Sequence, residues 1–493
     1  MNLQKSKQTI REIDYPKTFL ISLLGIVATI ICGLNPVVRE GYELLFLLPL
    51  SFSIARILFQ KAFSYWKDSI ALVLVFASVY IRYLITPLVM SVSGTCISTV
   101  TAQPQYYRLA VFVQIYELFV VLIAISFIWG KYRRKKTSDL SGTLIREKPA
   151  EFKLTFLGVV FVLLLALLVF SRGHISNVFS HFSTWWYISE DTTDLYYYDL
   201  MAIEVCKSII AITLISALSK SYHKSNSTFI KGILFSLALS VGIVVTMFYQ
   251  YTQRTALAQL FLSVMIMLIS FFPNKRRLLL VVFGVGGIAF VLYIFATGSM
   301  QFEFGGKNDN FLEKTSKMAE LYVSGPSVIA VTQERYDLIR SNMSLETYFS
   351  DLINSTHIFG LFPVLRGIVN LVAGIPTTNQ LFVASLGGLT YILPNYSLWT
   401  YYSSSLLGWL FEAFAIMIAV KIMCFVDSRK YVYNDAFFYY GMAYTEILLG
   451  QSFFVNNTFL FWHAFTNLPF WLLMFWYING LGNRMARRLK QRG

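Results

Sequence analysis

Apolar runs of membrane-spanning length recur along this chain, and short polar segments separate most of them. A helix of roughly 17–25 apolar residues is long enough to cross the hydrocarbon core of a bilayer. The pattern predicts an all-α polytopic membrane protein with about twelve transmembrane helices. The predicted spans lie near residues 18–36, 43–60, 69–91, 109–130, 154–171, 200–218, 232–250, 256–273, 278–297, 400–423, 435–453 and 460–480.

Composition agrees with this pattern. Of the 493 residues, 56% are hydrophobic and only 14% are charged, which is more apolar surface than a soluble fold buries. Residues 1–17 stay polar for longer than the start of a cleavable signal peptide, so we expect the first apolar run to be retained as a span. The four cysteines show no CxxC spacing, which indicates neither a metal site nor a disulfide framework.

The net charge of +15 follows the predicted topology. With the N-terminus inside, most of the 41 lysine and arginine residues fall in segments on the cytoplasmic side. This is the distribution that the positive-inside rule describes. Both termini are then cytoplasmic. Because the basic charge is accounted for by topology, we exclude nucleic acid as a partner.

The longest connection between predicted spans covers residues 298–399, and we call it the outer segment. It separates a nine-helix membrane region, residues 1–297, from a three-helix region, residues 400–493, whose end is cytoplasmic. Its polar opening precedes apolar runs at 358–372 and 381–393, which we expect to form interfacial or re-entrant helices. Long structured loops commonly carry function, so we expect the outer segment to be an active-site lid.

Arg254 is the first candidate for chemistry. It lies in the short predicted outer turn between spans seven and eight. A guanidinium group near the membrane surface needs water or an anionic partner, and its planar fork suits phosphate oxygens. The alternative is that Arg254 only reaches the lipid headgroups.

Three further arginines are candidates for binding an anionic substrate. Arg82 falls about midway along span three, where a charge facing lipid is very costly, so we expect it to face a polar lumen. Arg366 interrupts an apolar stretch of the outer segment, and Arg340 ends a polar one. Each is expected to face either a substrate cavity or solvent.

His357 is the candidate general base because it is the one histidine of the outer segment. A helix-capping or interfacial role is the alternative, and Asp351, Asp337 and Glu320 are rival bases. The chain has no P-loop, no glycine-rich dinucleotide fingerprint and no HExxH motif. We therefore predict no nucleotide cofactor and no metal.

The outer segment and its flanks resemble the Wzy-type polysaccharide polymerases of bacterial capsule and O-antigen assembly. The resemblance consists of the basic-inside spans, an arginine just outside a span, a large outer loop and the Tyr-Val-Ser-Gly-Pro element at 322–326. Asn395-Tyr-Ser-Leu-Trp-Thr400 and Gly408 resemble the family's Asn-x-x-Thr and glycine pattern. Members often carry an acidic residue shortly before that glycine, whereas this chain has serines at 403–405.

The resemblance implies metal-independent glycosyl transfer between two oligosaccharides carried on undecaprenyl diphosphate, in the bacterial plasma membrane. It implies that Arg254 clamps the diphosphate, with Arg340 and Arg366 as helpers. It also implies substrate contacts at Tyr322, with His357 as the base. A flippase and a chain-length regulator would be partners of such an enzyme.

Other functions remain open at this stage. A lipid-linked oligosaccharide flippase has a similar length and also needs arginines, although its loops are normally short and its halves are related by a repeat. A ligase that joins glycan to another acceptor would share the architecture. A metal-dependent transferase usually places paired carboxylates in its first outer loop, where this chain has only Glu40 in its short turn 37–42. A scaffold or receptor is the remaining alternative.

Overall fold

The computed structural model describes residues 15–97, 100–140, 197–247, 254–296, 310–355, 366–372, 374–387, 405–429 and 436–453. These residues are mostly helical, and no β-strand occurs among them. Hydrocarbon offers no water to backbone N–H and C=O groups, whereas a helix satisfies them within one segment. The predicted all-α class is confirmed for this described part of the chain.

The first group of helices covers residues 15–140. It consists of α1 Tyr15–Leu34, α2 Leu47–Leu58, α3 Gln60–Ser64, α4 Ile70–Tyr80, α5 Thr86–Ser93, α6 Pro104–Ala124 and α7 Gly130–Leu140. Local signals set several of these ends. The Ser69 hydroxyl caps α4 by accepting the Leu72 N–H at 3.3 Å. Gly94 ends α5 in the left-handed conformation (φ 67°), and Pro104 occupies the first position of α6.

A π-helical turn, Ile81–Ile85, joins α4 to α5 without a break. Pro87 has no N–H to donate to the carbonyl four residues earlier, and its ring crowds that carbonyl. The helix widens here, and the Thr86 N–H bonds to the Ile81 carbonyl five residues back. The turn carries Arg82, whose side chain is fully buried.

The second group consists of α8 Tyr197–Lys224, α9 Thr228–Met247, α10 Arg254–Phe271 and α11 Arg276–Ala296. Its apolar core includes Ala238, Leu268 and Phe272, which are fully buried. The short connections between its helices keep sequence neighbours in contact, so α8 packs on α9 and α10 packs on both α9 and α11.

The outer segment contributes a third set of helices, α12 Phe311–Tyr322, α13 Pro326–Ile339, α14 Leu345–Ser355, α15 Arg366–Leu371 and α16 Thr378–Ser385. Asn310 with Glu313 and Thr377 with Gln380 form capping boxes that start α12 and α16. Helix α12 packs on α5, and α13 packs on α6. The outer segment therefore lies against the ends of α5 and α6.

The last two helices that the structure describes, α17 Ser405–Arg429 and α18 Ala436–Ser452, pack against the membrane region. Helix α18 packs against α4 in the first group and against α8 and α10 in the second. Tyr439 belongs to the apolar core of the second group, whereas Leu448 and Leu449 belong to that of the first. Helix α18 thus joins the two groups.

Four of the described helices are long and apolar enough to cross a membrane. They are Pro16–Leu34, Ile70–Ser93, Pro104–Lys135 and Thr228–Val245. The chain is accordingly a helical, membrane-embedded protein. Where a span is predicted at 43–60, α2 has 12 residues, or roughly 18 Å of helix, which is short of the hydrocarbon thickness. The spans predicted near 154–171 and 460–480 lie outside the described residues.

Gly450 lets α18 approach α4 closely, and this contact supports a first prediction. A methyl group at position 450 would lie 2.7 Å from the Ala71 carbonyl oxygen, whereas one at Gly284 of α11 would meet nothing within 4 Å. We expect Gly450→Ala to destabilise the protein by about 1–3 kcal/mol, because α18 must move away from α4. Gly284→Ala, the matched control in α11, should be neutral or slightly stabilising, because alanine favours a helix more than glycine does.

Thermal unfolding of both variants in the same detergent measures the difference. Equal Tm values for the two alanine variants would show that the α4–α18 contact does not limit stability.

Candidate functional site

The Tyr-Val-Ser-Gly-Pro element forms the turn between α12 and α13. Ser324 adopts the left-handed conformation (φ 49°), and the Gly325 N–H bonds to the Glu320 carbonyl at 2.6 Å. This is a Schellman helix end, in which the last carbonyls of α12 are satisfied by the turn that follows. Pro326 then begins α13 at a position where its missing N–H costs nothing.

Gly325 is required by close packing. A β-carbon at this position would lie 2.8 Å from the Glu320 Cα, which is closer than carbon atoms approach one another. The turn therefore folds back tightly on the last turn of α12. Its tightness brings the Glu320 side chain beside the first residues of α13.

The Glu320 carboxyl group holds this turn against the membrane helices. Its Oε2 accepts the Ile97 N–H at 2.8 Å, and its Oε1 accepts the Ser327 N–H at 3.1 Å. The Tyr42 hydroxyl lies 3.4 Å from Oε1 and also bonds the Ser327 hydroxyl. We call these four residues the Glu320 anchor. All four are buried, so the anchor is a structural contact between the outer segment and two connections of the membrane region.

Arg39 extends the anchor on the membrane side. Its Nη1 donates to the Ile97 carbonyl at 2.5 Å and to the Tyr107 hydroxyl at 3.0 Å. The same hydroxyl accepts the Ala102 N–H at 3.0 Å. Arg39 fixes the backbone of the connection between α5 and α6, which in turn presents the Ile97 N–H to Glu320. Sequence reasoning missed Arg39, because its partners lie 58 and 68 residues away.

Burial dominates the electrostatics of the anchor. It raises the pKa of the Glu320 carboxyl, and the donors from Ser327 and Ile97 and the charge of Arg39 oppose that rise. Burial, together with the nearby Glu320, raises the pKa of the Cys96 thiol to about 12. With this raised pKa the thiol is neutral at physiological pH, although the nearby Ser327 side chain opposes the rise.

A second contact links the turn to the interior of the membrane region. Gln114 of α6 donates through Nε2 to the Ser324 carbonyl at 3.2 Å. The Gln114 backbone carbonyl accepts the Tyr83 hydroxyl at 2.6 Å. Ser324, Gln114 and Tyr83 are buried, so this chain of polar groups leads from the outer segment to the π-helical turn.

One helical turn deeper, α6 carries Glu117 in a buried charge cluster. Glu117 Oε2 lies 2.6 Å from Arg82 Nη2, and both side chains are almost fully buried. The Glu412 carboxyl group of α17 is buried beside Glu117 and lies close enough to both Glu117 and Arg82 to interact with their charges. Arg82, expected to face a polar lumen, thus lies between helices and pairs with a carboxylate.

The other predicted arginines and Tyr322 lie on four different elements of the fold. Arg254 is the first residue of α10, and Arg366 is the first residue of α15. Tyr322 is the last residue of α12, which packs against the turn that carries Arg82. Arg340 follows α13 directly and is exposed. The described contacts bring the helix of Tyr322 to Arg82, and α10 packs on α8, α9, α11 and α18.

The predicted base and two of its rivals differ in their surroundings. His357 lies outside the described residues. Besides Glu320, Asp351 is buried and accepts the N–H of Thr378 at 2.8 Å and also its hydroxyl. Asp337 is exposed and accepts the Tyr106 hydroxyl at 2.7 Å. Within the described residues, no group of three or more His, Cys, Asp or Glu side chains is placed to hold a metal ion.

The cluster of Arg82, Glu117 and Glu412 supports a prediction: the two carboxyl groups share one guanidinium group. Either carboxyl group can serve as partner to Arg82 when the other is replaced by an amide. We therefore expect Glu117→Gln and Glu412→Gln each to cost about 1 kcal/mol of unfolding free energy. The double variant leaves a buried guanidinium without a carboxylate and should cost about 3–5 kcal/mol.

A double-mutant cycle on the purified protein in detergent measures this coupling. Additive costs in the double variant would mean that Glu412 does not share Arg82 with Glu117.

Comparison with known proteins adds no relative. The chain matches no protein-family model, no curated protein and no solved structure. Its function is therefore argued from the residues and contacts described above, and the resemblance to Wzy-type polymerases depends on topology and short motifs.

Proposed function

We propose that this protein is a membrane glycosyltransferase of the Wzy type. It polymerises oligosaccharide repeat units linked to undecaprenyl diphosphate, on the outer face of a bacterial plasma membrane. The growing chain is transferred from its diphosphate carrier to the non-reducing sugar of a new repeat unit. Undecaprenyl diphosphate leaves, and no metal ion or nucleotide takes part.

The observation that carries the proposal is the attachment of the outer segment to the membrane region. Helices α12 and α13 pack on α5 and α6 through buried hydrogen bonds at Glu320 and Ser324. A fixed helical layer over membrane helices suits an enzyme that must hold two large lipid-linked substrates in one geometry. A flippase needs its outer side to open and close, which such contacts resist.

The contacts at the two ends of the bundle agree with one topology. At one end, Arg39 bonds to Ile97 and Glu320 also bonds to Ile97, all in segments predicted to be outside. At the other end, Asp68 pairs with Arg133 at 3.1 Å, in segments predicted to be inside. This grouping agrees with the alternation predicted for the first four spans. The arrangement of about twelve spans with both termini in the cytoplasm is part of the proposal.

The proposed chemistry depends mainly on cationic stabilisation of the leaving group. Diphosphate departs with negative charge and needs little protonation, so a preorganised guanidinium group is the main electrostatic contribution. Arg254 is the first residue of α10, and the N-terminus of a helix favours anions. Arg340 and Arg366 are the proposed helpers, Tyr322 is proposed to contact substrate, and His357 is the proposed base. Arg82, predicted from the sequence to contact substrate, is buried and paired with Glu117, so its proposed part is to hold the helices together.

Removal of the Arg254 charge tests this role. The experiment supplies purified protein with diphosphate-linked repeat units, without metal or nucleotide, and follows the product ladder on a gel. We expect Arg254→Ala to reduce the rate of ladder formation by about 100- to 1000-fold, the range found when one transition-state donor is removed. Arg277→Ala is the matched control, because Arg277 is an exposed arginine near the start of α11, at the predicted cytoplasmic end. It should leave the rate unchanged.

Two results would contradict the proposal. Wild-type protein that makes no ladder but moves the lipid-linked substrate across a liposome membrane is a flippase. Transfer of glycan to a different acceptor, without growth of the chain, identifies a ligase.

A further inference from the structure

We propose that Glu320 is a positioning residue that keeps the α12–α13 turn fixed on the membrane helices throughout the reaction. This part of the outer segment is then a static wall of the transfer site and does not open as a lid. The inference rests on the proposed function for its role in glycosyl transfer. The claim that the turn stays fixed depends only on the geometry of the Glu320 anchor.

Glu320 is already fully used by the protein. Each carboxyl oxygen accepts a backbone N–H, from Ile97 on one side and Ser327 on the other. The residue has no exposed surface. A base must reach the proton that it removes, and Glu320 is enclosed by its own donors. Its contribution is therefore to the position of the turn.

Several separate contacts attach the α12–α13 region to the membrane region, including those of Glu334 with the Gln103 N–H and of Asp337 with the Tyr106 hydroxyl. Besides the Glu320 anchor, Gln114 bonds the Ser324 carbonyl, and the Ser316 hydroxyl donates to the Thr95 carbonyl at 2.9 Å. Beneath them lies an apolar seam in which Ile97, Val328 and Val331 are buried. Opening would expose this seam and leave buried polar groups without partners.

Lids are built differently. Segments that open during turnover have few buried contacts and solvent-exposed hydrogen bonds. The α12–α13 turn has the opposite character, since Gly325 is packed against the Glu320 backbone and the anchor residues are buried. Substrates therefore enter beside this turn and not beneath it.

A cross-link between Cys96 and position 327 tests whether the turn must move. The Cys96 thiol lies close to the Ser327 side chain, so position 327 is the choice for its cross-linking partner. The variant is Ser327→Cys in a chain whose Cys32, Cys206 and Cys424 are replaced by alanine. After oxidation with copper phenanthroline, a static wall predicts a product ladder within about twofold of the reduced sample.

The matched control adds Cys96→Ser, which cannot form the bond. Loss of the ladder on oxidation, restored by dithiothreitol and absent from the control, would overturn the proposal and make the turn a lid. If the disulfide does not form, the labelling measurement described below decides.

Replacement of Glu320 separates positioning from chemistry. An amide nitrogen cannot accept an N–H, so Glu320→Gln loses one of the two backbone contacts. We expect kcat/KM to fall on the order of 10- to 100-fold, because small displacements of a substrate-holding wall have effects of this size. In the Ser327→Cys background the oxidised bond should restore most of that loss. A catalytic carboxylate would not be replaced by a disulfide elsewhere, so absence of rescue would contradict a positioning role.

Alkylation of Cys96 gives a readout that needs no enzymatic activity. In a variant with Cys96 as the sole cysteine, the buried thiol should react with maleimide far more slowly than the unfolded chain, with or without added lipid-linked substrate. Glu320→Gln in the same chain should speed the reaction at least tenfold. Rapid labelling of the parent variant during turnover would show that the turn opens. Failure of the ladder assay together with slow labelling would reject the proposed function and leave the fixed turn intact.

Discussion

Hydrocarbon offers no hydrogen-bond partner, so every polar group between the membrane helices must find one within the protein. Helix α6 concentrates these groups on residues that face its neighbours. Glu117 meets Arg82 and Glu412, and one turn away Gln114 meets the Ser324 carbonyl. Because each contact leads to a different element, α6 sets the positions of α4, α17 and the outer segment together. The arrangement of the described bundle depends on this one polar helix face.

Helix α6 also sets the position of the α12–α13 turn of the outer segment. Gln114 holds the Ser324 carbonyl, and the Glu320 anchor holds the residues on either side of it. Two separate sets of contacts on one short turn leave it little freedom to rotate. The Schellman end at Gly325 extends that restriction to both α12 and α13, because it fixes the backbone that joins them. The position of the turn thus depends on a polar residue of a helix long and apolar enough to span a membrane.

Much of the fold could be predicted from hydrophobic pattern, because lipid makes the length of an apolar run informative. The runs near 18–36 and 109–130 correspond to α1 and α6, whereas α2 is shorter than its predicted span. The partner of Arg82 could not be predicted from the sequence. Glu117 and Glu412 are both distant from it along the chain, and either carboxyl group could neutralise the guanidinium. The role of Glu320 could not be predicted either. Its donors are backbone N–H groups, and every residue type except proline carries one. The sequence did contain a local signal at Gly325-Pro326, a pair typical of a helix end followed by a helix start.

The use of acidic residues in the outer segment bears on what this surface binds. Glu313 caps α12, Glu320 holds the turn, and Asp351 holds the start of α16. These three carboxyl groups are committed to the fold, so none of them is available to bind a ligand. Under the proposed function the ligand is a diphosphate, and a wall that does not move allows guanidinium groups to meet it in a fixed geometry.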